Sequence, residues 1–149
     1  MKILLAPSEG KNTGGSGKFE IEKLLFGTLN NKRSELLKEY DDLISEADQK
    51  KLAKLFGLKK QKEIESNSKR IFTEPVMKSI QRYSGVAFDY LEYDKLNKKE
   101  QTYVDSNVII FSNLFGPILA SDKIPEYKLK QGESIEGTKT EKVYLELFE

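Results

Sequence analysis

The residues best placed to do chemistry lie in two short segments, Ser8-Glu9-Gly10-Lys11 and Ser112-Asn113-Leu114-Phe115-Gly116. Each follows an apolar run, Ile3 to Pro7 in the first case and Val108 to Phe111 in the second. If these runs are buried strands and parallel neighbours, both segments emerge at the carboxyl edge of one sheet, where open α/β sheets bind ligands. The candidate ligand site is therefore Ser8, Glu9, Lys11, Tyr83, Ser112, Gly116, Asp122, Tyr127 and Lys128, suited to a small anion. The alternative is that the Gly and Pro residues here only shape turns. The chain has no His and no Cys. Acid–base chemistry would fall to Asp, Glu, Lys or Tyr, and a metal would need oxygen ligands. No thiolate or imidazole site is available, no disulfide can form, and no cofactor is assigned.

Familiar phosphate and nucleophile signatures fail in detail. Gly10 and Gly15 have the P-loop separation, but Ser16 stands where the P-loop requires Lys. Gly15 and Gly17 lack the third Gly of a dinucleotide fingerprint. A looser anion nest with Lys11 or Lys18 stays open beside the reading of a surface loop. Ser8 to Lys11 matches Ser-x-x-Lys, but the abundance of Ser and Lys makes roughly two such spacings expected by chance. Two are present, the other being Ser66 to Lys69.

Charge marks a second region. The net charge of +1 divides into −2 over residues 1–49, +7 over 50–82 and −4 over 83–149. The basic stretch contains Leu52-x-x-Leu55-Phe56-Gly57-Leu58, which resembles the first helix and hairpin of a helix-hairpin-helix module. Such modules hold phosphate backbone through hairpin amides without reading bases. Lys59 replaces the usual second Gly. Candidate DNA contacts are Lys50, Lys51, Lys54, Gly57, Lys59, Lys60 and Lys62, within a basic segment spanning 48–70. The competing reading is an ordinary helical hairpin with a solvated face.

The elements needed to position these residues follow from periodicity. A strand over 2–6 is followed by the Gly-rich loop. Phe19 to Leu29 carries a helical apolar face of Ile21, Leu24, Leu25 and Leu29. Asn30 or Asn31 caps a helix to about Ala47, and Asp48 caps a short one stopped by Gly57. Another short helix follows from Lys59 or Lys60. Glu74-Pro75 opens a further helix. Gly85 to Phe88 reads as a strand or an edge, Asp94 to Ser106 as a helix, and Val108 to Phe111 as a strand buried on both faces. Ser112 to Tyr127 reads as a loop, and 139–149 as a helix with Val143, Tyr144, Leu147 and Phe148 on one side. This predicts a single mixed α/β domain over 1–149, a small central sheet of short buried strands surrounded by helices, including the hairpin element. The apolar runs are far too short to span a membrane. A cytoplasmic protein is the simplest reading.

Three blocks resemble the peroxide-stress protein YaaA family. They are Ile3 to Lys11; Tyr83-Ser84-Gly85-Val86-Ala87-Phe88 with Leu91; and Ser112 to Gly116 followed by Asp122-Lys123-Ile124-Pro125-Glu126-Tyr127-Lys128-Leu129. Asn113 stands where the family usually has Gly, and Lys128 where it usually has Arg. The second change keeps a charge but loses a bidentate fork. The resemblance implies a cytoplasmic protein that limits free intracellular iron under peroxide stress, a mixed α/β body with a helix-hairpin-helix element, and DNA binding. It also implies that family members continue beyond this length, so the chain is expected to be an N-terminal portion.

Overall fold

The computed structural model describes residues 1–147; Phe148, assigned above to the last helix face, lies outside them. Strand β1 (Ile3–Leu5) pairs in parallel with β3 (Val108–Ser112), register Ile3 to Val108. β3 turns back antiparallel onto β4 (Gly116–Leu119), giving the order β1-β3-β4. The two chemistry-bearing segments do leave the same edge of one sheet. Two small antiparallel pairs flank it, β2 (Val76–Lys78) with β5 (Lys123–Pro125) and β6 (Ser134–Ile135) with β7 (Thr138–Lys139).

The first long helix, α1 (Asn30–Glu46), buries Leu36, Leu37, Tyr40 and Leu43 at helical spacing. Neither Asn caps it: Leu29 is the N-cap residue and makes no side-chain bond. Helix α2 (Gln49–Phe56) starts as its sequence dictates, with the Asp48 carboxylate accepting from the Lys51 amide at 2.8 Å. It ends at Gly57, whose φ of 67° is the left-handed cap that favours Gly. Helix α3 (Gln61–Asn67) follows and packs on α2. These are two short packed helices, which alone do not establish a helix-hairpin-helix module.

Several expectations are corrected. β1 is not buried: Ile3 is 40% and Leu4 64% exposed, because β1 is the open edge of its sheet. Phe111 of β3 is half-exposed for a related reason, facing an apolar groove it lines with Leu4, Leu5 and Pro7. Phe19 to Leu29 forms only two short 3-10 turns, Ile21–Lys23 and Gly27–Leu29. Its backbone is diverted: the Leu25 amide donates to Asp122, while the Leu25 and Phe26 carbonyls accept from Arg33. After Pro75 comes β2, then the single turn α4 (Ser79–Arg82). Gly85 to Phe88 is not a strand but the start of α5 (Val86–Leu91). The segment 112–127 is not a loop, since it holds β4 and β5. The helix expected from Asp94 is α6 (Lys98–Asn107), started by a reciprocal cap between Asn97 and Glu100. The last helix is α7 (Thr140–Glu146).

One cluster of buried side chains joins most of these elements, running from Leu37 and Tyr40 of α1 through Ile110 and Ile118 of the sheet to Phe56 of α2, and a second, small one seats Tyr144 of α7 on Leu29 and Leu36. Two arginines are fully buried, Arg33 and Arg82.

Candidate functional site

The site is assembled from three chain segments. The Ser8–Lys11 loop leaves β1 and is fastened to the residues after α4: the Ser84 amide donates to the Gly10 carbonyl at 3.0 Å, and the Asn12 amide to Arg82 at 2.7 Å. Lys11 thereby forms a β-bridge with Tyr83. Ser112, at the end of β3, shapes the turn into β4, since its Oγ accepts from the Leu114 and Phe115 amides at 3.2 and 3.0 Å. Tyr127 and Lys128 follow β5, held by Tyr40, whose hydroxyl accepts from the Lys128 amide and donates to its carbonyl.

Four side chains form a buried polar cluster. The Tyr127 hydroxyl lies 2.7 Å from that of Tyr83, 3.0 Å from Ser112 Oγ and 2.8 Å from Asn113 Oδ1. Proton counting sets the directions. Asn113 Oδ1 can only accept, so Tyr127 donates there and accepts from both Tyr83 and Ser112. Asn113 then gives its amide to the Leu129 carbonyl at 2.9 Å. Burial pushes the Tyr83 phenol up to about 12, and burial with the neighbouring Tyr83 holds Tyr127 well above its ordinary value. Both stay neutral near pH 7 and serve as a hydrogen-bonded floor rather than as bases.

Lys11 rests on that floor. Its Nζ is 4.2 Å from the Tyr127 ring centroid and 5.4 Å from that of Tyr83, and it donates to the Glu9 and Ser8 carbonyls at 3.0 and 3.2 Å. Burial first, and the neighbouring Lys128 cation second, push its ammonium down to about 7; the Glu9 and Glu126 carboxylates oppose this. The two carbonyls and the aromatic faces also favour the charged form. Lys11 is thus poised between amine and ammonium.

A pocket of about 230 Å³ opens here, lined by Glu9, Gly10, Lys11, Glu126, Tyr127 and Lys128. Its remaining wall is Leu58, between α2 and α3, with Glu63 and Asn67 of α3. The two regions singled out in the sequence therefore share one cavity. Glu126, absent from the expected set, is held by Lys69 at 2.6 Å. Its sequence signal was its place in the Asp122 to Leu129 block, beside Tyr127.

Other expected residues sit differently. Ser8 offers its carbonyl, while its Oγ packs on Gly85, where an added Cβ would lie 2.8 Å away. Gly116 faces the ring of Tyr144, at 2.6 Å from where its Cβ would stand, and belongs to the apolar groove. Asp122 is a structural brace, accepting from the Leu25 and Leu119 amides at 2.9 Å each. The Gly-rich loop encloses a cation instead of an anion: the Asn12 and Gly14 carbonyls accept from Arg82 at 2.8 and 3.0 Å. A Cβ on Gly15 would lie 2.4 Å from the Val76 carbonyl oxygen at φ 116°, so this loop needs Gly to close on Arg82.

On α2, α3 and the turn between them, Lys50, Lys51, Lys54, Lys59, Lys60 and Lys62 are all exposed, as is Gly57. Lys51 pairs with Glu136 at 3.4 Å and Lys60 with Glu63 at 3.7 Å. Among the described residues, Lys50, Lys54, Lys59 and Lys62 have no ion-pair partner.

Fold and site define a mixed α/β protein whose strand-end loops meet a basic helical pair around a lysine–tyrosine pocket. The chain belongs to the peroxide stress protein YaaA family, whose model matches residues 1–146. It is 40% identical over 149 residues to an uncharacterised protein of Campylobacter jejuni, covering 99% of this chain and 61% of that one. It is 37% identical to a UPF0246 protein of Corynebacterium glutamicum, covering 91% of this chain and 53% of the relative. For a UPF0246 protein of Streptomyces coelicolor the identity is 28%, with 92% and 53% covered. The chain thus spans between about half and three fifths of the length of these relatives. Among the described residues, no helix is long and apolar enough to cross a membrane.

Proposed function

We propose that this chain contributes to a cytoplasmic peroxide-stress response by binding the DNA phosphate backbone through α2 and α3, without reading base sequence. One observation carries the reading: six exposed lysines crowd one short helical pair, and four have no ion-pair partner among the described residues. Unpaired lysines neutralise phosphates and release counterions. Limitation of free iron, which the family resemblance implies, is taken as an outcome of that response, with no iron ligand assigned to this chain. The test is fluorescence anisotropy on unrelated duplexes across a salt series. Replacing Lys54, Lys59 and Lys62 by Glu should weaken binding at least about tenfold and flatten the log K against log salt slope by about 3. Equal affinity and slope in the variant would refute the hairpin as the grip.

A second reading rests on the pocket. Lys11 and Lys128 line one cavity beside Glu9, Glu63 and the Lys69-paired Glu126, and together they offer a small anion two cationic contacts. Phosphate should raise the melting temperature of the chain, and Lys128→Met should abolish that rise. An unchanged melting temperature at millimolar phosphate would remove this reading.

A further inference from the structure

The pocket holds a specific combination of groups around Lys11. Its Nζ is bonded to two backbone carbonyls, Ser8 and Glu9, and lies against two tyrosine faces. A neutral amine has two N–H groups, enough to serve both carbonyls while leaving its lone pair free. The charged and titratable groups facing it are Lys128, Glu9, Glu126, Tyr83 and Tyr127, with Glu63 across the pocket on α3 and Lys69 neutralising Glu126. The tyrosines are bound to each other and to Ser112 and Asn113, so they do not compete for the amine proton.

We infer that Lys11 Nζ is a covalent capture point for an aldehyde or ketone that carries an anionic group, the carbonyl carbon bonding to Lys11 and the anion pairing with Lys128. This rests on the reading of the pocket as an anion site and adds the substrate class. In the step, the amine nitrogen adds to the carbonyl carbon. The carbonyl oxygen then leaves as water with the two amine hydrogens, and the imine nitrogen takes a proton from solvent. No oxidant or reductant is consumed. Glu9 and Glu126 line the same pocket and can pass protons in the intermediate carbinolamine. The lowered proton affinity of Lys11 supports the assignment, since the nucleophile is the neutral amine.

The same chemistry could come from two sources: a free carbonyl acid, or the open-chain sugar of an abasic site in DNA held on the adjacent hairpin. The experiment treats the full chain with sodium cyanoborohydride at pH 7, in one arm with glyoxylate and in the other with a duplex bearing one abasic site. Adducts are mapped by peptide mass spectrometry. Lys11 should be modified about tenfold or more faster than the exposed lysines. Its rate should level off above about pH 7. Lys11→Arg should remove the fast adduct, and Lys128→Met should slow it severalfold with glyoxylate but not with uncharged acetaldehyde. A fast adduct with glyoxylate alone assigns the free compound; one with the duplex assigns the DNA sugar. Lys11 reacting no faster than surface lysines in both arms, in a chain folded by circular dichroism, overturns the proposal. Phosphate-induced stabilisation of the same sample reports separately on the anion reading. Stabilisation without trapping would sink only the covalent step.

Discussion

Arg33 and Arg82 on one side, and Lys11 on the other, are three cations drawn into the fold by backbone carbonyls, and they answer differently. Arg33 spreads its fork over the carbonyls of Phe115, Leu25, Phe26 and Pro117 and the Asn30 side chain, at 2.6–3.1 Å. Arg82 bonds the carbonyls of Ile124, Asn12, Gly14 and Pro75 at 2.8–3.2 Å. Neither forms an ion pair among the described residues. A guanidinium keeps its charge even when buried, and five donors can be matched completely. Each arginine is therefore a staple that closes loops around itself. Lys11 has only two carbonyls, a point charge and a second lysine nearby. Half-burial beside a second cation, without a matching set of acceptors, leaves Lys11 free to lose its proton. Four carbonyls around each arginine make structure, and two around Lys11 leave room for reactivity.

The largest effect should come from breaking a staple. Arg82→Met leaves several buried carbonyls unpaired and should cost roughly 3–5 kcal/mol in urea unfolding. Arg82→Lys should recover little, because one ammonium cannot reach all four carbonyls. A full rescue by Lys would reduce the arginine to mere charge. Next comes the floor beneath Lys11. Tyr127→Phe deletes a hydroxyl that accepts twice and donates once, which should cost roughly 1–3 kcal/mol.

The smallest stability change, and the most pointed contrast, belongs to Lys11→Met, expected within about 1 kcal/mol of the parent at pH 7. Its signature is pH. The folded state releases the Lys11 proton at about 7, whereas the unfolded chain holds it to 10.5. Between these values the unfolded state binds more protons, so the parent gains stability relative to Lys11→Met as pH rises. Melting temperatures of both chains at pH 7, 8.5 and 10 would reveal this. A constant gap would mean that Lys11 titrates like a surface lysine.

What the sequence made legible was whatever is decided locally. Helix α1, the Asp48 start and Gly57 stop of α2, and the apolar run of β3 follow from neighbours within a few residues. The shared edge was legible only on the condition that the two apolar runs pair in parallel, which they do. Distant partners hid the rest. Val76–Lys78 becomes a strand only because Lys123–Pro125 lies alongside. Phe19 to Leu29 has helical spacing, but Arg33 and Asp122 claim its backbone. Asp122 looked like a site carboxylate because its type is the same in a turn brace as in an active centre. Glu126 and Asn113 lie inside segments the sequence marked, but their contacts in the site followed only from the placing of Tyr127.

The pairing of β1 with β3 has a consequence for the order in which the molecule opens. Ile3 meets Val108 across roughly a hundred residues of chain, a costly closure for a strand that buries little. β1 should be late to dock and early to fray, so its amides should exchange with deuterium sooner than those of the core. The loop beyond it has its own anchor, since Asn12 and Gly10 are bonded to Arg82 and Ser84 independently of the strand. The amides of Asn12 and Ser84 should outlast those of β1, and Lys11 should keep its place while the strand before it comes and goes.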